Sequence, residues 1–179
     1  MAEAQFDPGG FYQFDLQEGS VRTKDGARVL VLSDTALAPL VSAAVKSGDV
    51  GALIGLGSHL GTLAKANLGT DPAATTPEGV LAHASSVVSL FGWGKLGFER
   101  WGEALALTVD GAPTFGDAGT ALGAFLTGLL SALGDQPADC VPVGERFLVV
   151  SPEAADQVRG WASGGDDVPT IVGRMGVSS

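Results

Sequence analysis

Cysteine is nearly missing from this chain, with Cys140 alone among 179 residues. One thiol excludes an intramolecular disulfide and any metal centre built on a cysteine pair. Positive charge is scarce too. Ten Lys and Arg stand against twenty Asp and Glu, a net charge of -10, and the basic residues are scattered singly, without the cluster that a phosphate backbone needs. No run approaches the roughly eighteen uninterrupted apolar residues of a membrane span. The start MAEAQFDPGG carries acids where a secretory signal has a basic flank and an apolar stretch. The expectation is a cytoplasmic protein with no nucleic-acid partner and no membrane span.

Catalytic constellations are equally thin. His59 and His83 are the only histidines and fall on different predicted helices, with no motif tying either to Cys140; a lone buried cysteine behaves as a small apolar residue. Ser58 beside His59 is no catalytic pair, because neighbouring helical residues point apart, and no Gly-x-Ser-x-Gly elbow occurs. Gly55-Leu56-Gly57-Ser58-His59-Leu60-Gly61 has the wrong glycine spacing for a dinucleotide turn and lies inside a helical pattern. Helix packing explains it better. Glu99 and Glu103 flank a hairpin corner and read as solvated turn acids. Enzyme is therefore the weakest of the function classes, with no catalytic residue to name and no cofactor implied.

What is present is apolar surface. Charged residues make up 17% of the chain and mean hydropathy is +0.28, an excess for one soluble domain of this size. A subunit interface, an internal ligand cavity or both would absorb it. At this length a single domain buries roughly two thirds of its unfolded surface without staples.

The stretch 91–133 organises the rest. Trp93, Leu96, Phe98 and Trp101, then Leu105, Leu107 and Val109 on alternate positions, predict a hairpin reversing at Trp101-Gly102-Glu103. After Pro113 and Gly116, Leu122, Phe125, Leu126, Leu129, Leu130 and Leu133 recur at helical spacing, opposite a side of Thr120, Ala124, Thr127, Gly128 and Ser131. Before it, three helices are predicted. The first follows a cap at Ser33 or Asp34, with Pro39 predicting a kink or a later start. The second follows Asp49, with Leu53, Leu56, Leu60 and Leu63 opposite Gly51, Gly55, Ser58 and Thr62. The third opens on Thr76-Pro77-Glu78. Asp71-Pro72 onward is read as a loop. After the central stretch come a hairpin around Gly144-Glu145 and a helix from Ser151-Pro152-Glu153. The expected organisation is an N-terminal arm or edge hairpin over 1–26, one domain over 27–163 and a flexible tail over 164–179.

Trp93, Phe98, Trp101, Phe125 and Phe147 are the candidates for lining a ligand pocket, the alternative being that they fill the core. Gly51, Gly55, Ser58, Thr62, Thr120, Ala124 and Gly128 are the candidates for a helix-to-helix interface, between subunits or within one.

Taken in order, Ala27 to Ser33, the glycine-punctuated helix to Asn67-Leu68-Gly69, Pro77-Glu78-Gly79-Val80-Leu81, Gly92-Trp93-Gly94, Leu122 to Leu130, and Cys140 with Gly144 and Phe147 resemble the 4-vinyl reductase domain family. The resemblance spans most of residues 27 to 151. It implies an α+β fold, helices packed on a twisted antiparallel sheet of about four strands, similar to small subunits of TRAPP vesicle-tethering complexes and often dimeric. Members bind small hydrophobic or aromatic molecules in bacterial sensory regulators, or act as interaction modules. The family's metal-binding members carry further cysteines, and around Ala118 and Leu148 this chain lacks them, so no metal is expected. The first expectation is thus a non-enzymatic adaptor or scaffold acting through a homodimeric or heteromeric interface. The alternative is a sensor of a small hydrophobic or aromatic ligand that signals to a partner protein.

Overall fold

The computed structural model describes residues 10–68, 76–134 and 136–177; the loop expected at Asp71-Pro72 lies outside them, as does Asp135, where with Gly134 the helix carrying Leu133 is expected to stop. The chain opens with three short strands, β1 (Tyr12–Asp15), β2 (Ser20–Thr23) and β3 (Arg28–Val29), then α1 (Asp34–Ser47), α2 (Gly51–Asn67) and α3 (Pro77–Leu90). β4 (Lys95–Trp101) and β5 (Ala104–Asp110) lead to α4 (Ala118–Gly134), followed by β6 (Asp139–Val143), β7 (Arg146–Val150), α5 (Pro152–Ser163) and α6 (Val168–Val177). The fold is α+β.

Two antiparallel sheets result. The smaller has the order β1-β2-β3 and the larger the order β4-β5-β7-β6. In the larger, Phe98 sits across from Leu107, Leu107 across from Phe147, and Cys140 across from Val149. Both faces of this sheet are covered. Leu96, Leu107, Cys140 and Phe147 join the core formed with α1 to α4, while Ala106, Val141, Leu148 and Val150 join a second core with α5 and α6. The unbroken apolar run Phe147-Leu148-Val149-Val150 is what a strand buried on both sides requires.

Helix boundaries follow local chemistry. Ser33 accepts a hydrogen bond from the Ala36 amide, and Thr76 one from the Gly79 amide ahead of Pro77. α1 begins at Asp34 and continues through Pro39 to Ser47, so the later start is corrected: the Ser33 cap begins the helix ahead of Pro39, which leaves it one amide short. The tail is corrected as well. Residues 168–177 form α6, with Ile171 fully buried, because the Asp167 carboxylate accepts from the Thr170 amide at 3.0 Å and caps the first turn. The expected boundary at residue 27 falls inside the small sheet, since β2 pairs with β3 across it.

α2 and α4 cross at very short range. A methyl group on Gly57 would overlap the Phe125 carbonyl, and one on Gly128 the Ile54 carbonyl; only glycine permits this approach. Gly128 and Ser58 therefore meet within one subunit, whereas Gly51, Gly55 and Thr62 lie exposed on the outer side of α2. The close-packing face is Gly57 and Gly61, one step around from the expected stripe.

Helix hydroxyls reach the start of each outer strand of the larger sheet. Ser85 Oγ donates to the Leu96 carbonyl and accepts from the Leu96 amide, both at 3.0 Å, on the β4 edge. On the β6 edge the Cys140 amide donates to Thr127 Oγ1 at 2.9 Å and the Ala138 amide to Ser131 Oγ at 3.1 Å.

Candidate functional site

With α2 fixed against α4, its flank at Leu56, His59 and Leu63 faces the small sheet. The spacing of three and four residues puts these side chains in one row. α3 ends beside them, delivering Phe91, and the reversal at Gly92, with φ of 76°, turns the chain so that Trp93 comes inward. Trp93 stacks on Phe125 with ring centroids 4.2 Å apart and planes 3° from parallel, and Phe115 lies 5.8 Å away. Trp93 is thus a rigid wall with Phe125 behind it.

The small sheet forms the opposite wall. Tyr12 Oη donates to the Leu90 carbonyl at 3.0 Å, and Phe11 and Phe91 meet edge to face at 6.0 Å. Two adjoining spaces lie between sheet and helices. The first, about 240 Å³, is bounded by Val29, Leu30, Leu56, His59, Leu60, Phe91 and Trp93. The second, about 390 Å³, shares Val29, His59 and Phe91 and adds Phe11, Leu63, Val87 and a polar rim of Thr23, Lys24, Asp25, Arg28 and Asn67. On that rim the Thr23 hydroxyl bonds the Asp25 carboxylate and holds it below the usual carboxylate range. Among its lining residues the inner space has two side chains that can hydrogen-bond, the imidazole of His59 and the indole of Trp93. The space is a mostly apolar cleft, open to solvent at Leu30, Leu56 and His59, and such a lining suits a small, largely hydrophobic molecule bearing a polar atom.

A larger groove, about 570 Å³, runs along α4 past Thr120, Gly123, Ala124 and Thr127 toward β6 and α5. Its charged groups are engaged with one another: Asp139 accepts from Arg159 at 2.8 Å and from Thr127 at 3.2 Å, and Arg159 also donates to Asp156 at 2.8 Å. Cys140 borders it with a thiol pushed up to about 12, by burial first and the neighbouring Asp139 charge second. At neutral pH that group is a thiol and no nucleophile. No set of three His, Cys, Asp or Glu gathers among the described residues.

The five aromatic candidates do not share a chamber. Trp93 borders the inner space; Phe125 supports it from behind; Phe98 packs into the main core; Phe147 lies on the sheet near α4. Trp101 sits on the far side, donating to Glu99 at 3.1 Å beneath the Arg146 guanidinium. Arg146 binds the same carboxylate through two nitrogens, at 2.7 and 3.2 Å, and holds Glu99 below its ordinary range. Of the interface candidates, Thr120 and Ala124 border the α4 groove. The residues that sequence reasoning passes over are Phe11, Leu56, His59 and Phe91. The one available signal is the spacing of Leu56, His59 and Leu63 on a helix whose opposite side is glycine.

This arrangement can be compared with solved structures. The chain superposes on the crystal structure of the phenol-responsive sensory domain of the transcription activator PoxR with phenol, at a TM-score of 0.57 and 17% identity, over 82% of this chain and 89% of that one. The two share a fold. No protein-family description and no curated protein sequence matches this chain. No single helix among the described residues is long and apolar enough to cross a membrane.

Proposed function

We propose that this chain is a non-enzymatic member of the 4-vinyl reductase-like domains that senses a small hydrophobic or aromatic ligand and passes the signal to a partner protein. The observation that carries this reading is the inner chamber, walled by Trp93, Phe91, Leu56 and Leu60 with His59 on its lining. Its volume of about 240 Å³ leaves room for one substituted ring lying against Trp93 and Phe91, with one side open to solvent at Leu30 and Leu56. The shared fold with a phenol-responsive sensory domain supports the sensor over the adaptor, reversing the order in which the sequence alone ranks them. His59 would hydrogen-bond the polar atom of the ligand while the rings supply contact area.

Calorimetric titration of the full chain with phenol and with a panel of alkyl- and halophenols tests this. At least one compound should saturate at one per chain. His59→Ala should weaken it about tenfold, the loss of one hydrogen bond, and Glu145→Ala, remote from the chamber, should leave it unchanged. Absence of binding across the panel at millimolar concentration, or binding indifferent to His59→Ala, would sink the proposal.

A further inference from the structure

The inner chamber does not stand alone. Val29, His59 and Phe91 line both it and the second space, and the second is the larger, about 390 Å³ against about 240 Å³. A simple phenol seated on Trp93 leaves it unused. Phe11, Leu63, Val87 and Phe91 give the second space an apolar floor, while its rim carries Lys24 and Arg28.

Positive charge is gathered at this rim in a chain that has little of it. Three of the ten Lys and Arg residues, Arg22, Lys24 and Arg28, fall within residues 22–28 against one carboxylate, Asp25, although the whole chain carries -10. The pairing of β2 with β3 sets Arg28 directly across from Arg22, and like charges placed opposite each other in a sheet are unfavourable. None of the three is in an ion pair with a carboxylate among the described residues. The guanidiniums donate to backbone carbonyls, Arg22 to that of Gly26 at 3.2 Å and Arg28 to that of Gly19 at 3.5 Å, and the Asp25 carboxylate accepts from the Thr23 hydroxyl. Elsewhere the clefts are balanced or acidic: the α4 groove holds Asp139 against Arg159, and the space beside Arg146 adds Glu145, Asp166 and Asp167. An anion at the rim would offset the repulsion that the sheet register creates.

We propose that the second space is an anion subsite of the same binding site, and that the ligand is an aromatic acid: a ring against Trp93 and Phe91, and a carboxylate on a short aliphatic chain that passes Val29 and His59 to reach Lys24 and Arg28. This rests on the sensing reading and narrows its ligand class. The apolar floor suits the chain, and the carboxylate gains charge-assisted hydrogen bonds that a neutral phenol lacks. A chain of net charge -10 repels anions at long range, so a local excess of positive charge is what holds one.

The test titrates the full chain with phenylacetate, phenylpropionate and phenylbutyrate, and with their carboxamides, which keep ring and chain and lose the charge. At least one acid should bind about tenfold or more tightly than its amide, and an about tenfold rise in sodium chloride should narrow that gap. Lys24→Gln combined with Arg28→Gln should reduce the gap to under about twofold, while Lys46→Gln, in the last turn of α1, should leave it in place. All three side chains are exposed, and circular dichroism checks folding. Acids that bind no more tightly than their amides, or a gap that survives the double substitution, overturn the proposal; a phenol that saturates the chamber in the same titrations leaves the sensing reading standing when this one falls. Absence of binding by every phenol, acid and amide overturns both.

Discussion

Gly57 and Gly55 are two residues apart on one helix and have opposite reasons to be glycine. At Gly57 any side chain meets the Phe125 carbonyl and the Leu129 amide of α4, backbone atoms that cannot swing away. Gly57→Ala must therefore prise two helices apart, and we expect a loss of about 1 to 3 kcal/mol or more, as for overpacked cores. A methyl on Gly55 meets nothing within 4 Å. Gly55→Ala removes only the flexibility of glycine in a helix and should add about 0.5 to 1 kcal/mol. Urea unfolding of the two variants reads both signs, and equal effects would show that α2 is rotated from the position described. Periodicity alone does not separate these residues: at 100° per residue Gly55 and Gly57 lie on different faces, and which one meets a neighbour depends on where that neighbour is. The sequence therefore carries the fact of close helix packing and leaves open which stripe does it.

At the scale of whole elements, legibility tracks how local the cause is. α3 is readable from Thr76-Pro77-Glu78, and the β4-β5 hairpin from the alternation around Gly102, because cap, turn and period lie within a few residues. α6 had a local signal too: Asp167, Pro169 and Thr170 form a helix start, and Ile171 follows at the first inward position. Two glycines, a proline and several β-branched residues, all weak helix formers, hide it, and only the α5 side of the sheet, a tertiary feature, gives Ile171 and Val168 something to pack on. Ile171→Ala should cost about 2 to 5 kcal/mol, as other buried aliphatic truncations do. A change well below 1 kcal/mol in thermal or urea unfolding would mean that residues 168–177 are the loose tail that composition alone suggests. The chamber was the least legible feature. Its walls come from β3, α2, the end of α3 and the turn after it, elements whose meeting no spacing rule foretells, and one of its polar groups is a histidine that reads in isolation as a packing residue.

The molecule as a whole divides its stability from its site. The two apolar cores draw their buried residues from Val41 onward, and their partly buried partners from Leu37 onward. The small sheet contributes to neither. It is held instead by the Tyr12 hydroxyl on the Leu90 carbonyl and by the Phe11, Tyr12 and Phe91 rings, yet it supplies one wall of the chamber. Removing residues 1–32 should therefore leave a folded remainder: helical circular dichroism kept and a single cooperative thermal transition, lowered by the exposure of Phe91 and Val87 to water. The same truncation should abolish saturable binding of any phenol that the full chain takes up, because Val29 and Leu30 leave with the wall. A truncated chain that loses its cooperative transition would show that the small sheet is part of the core, and one that still binds with unchanged affinity would move the site to the groove along α4.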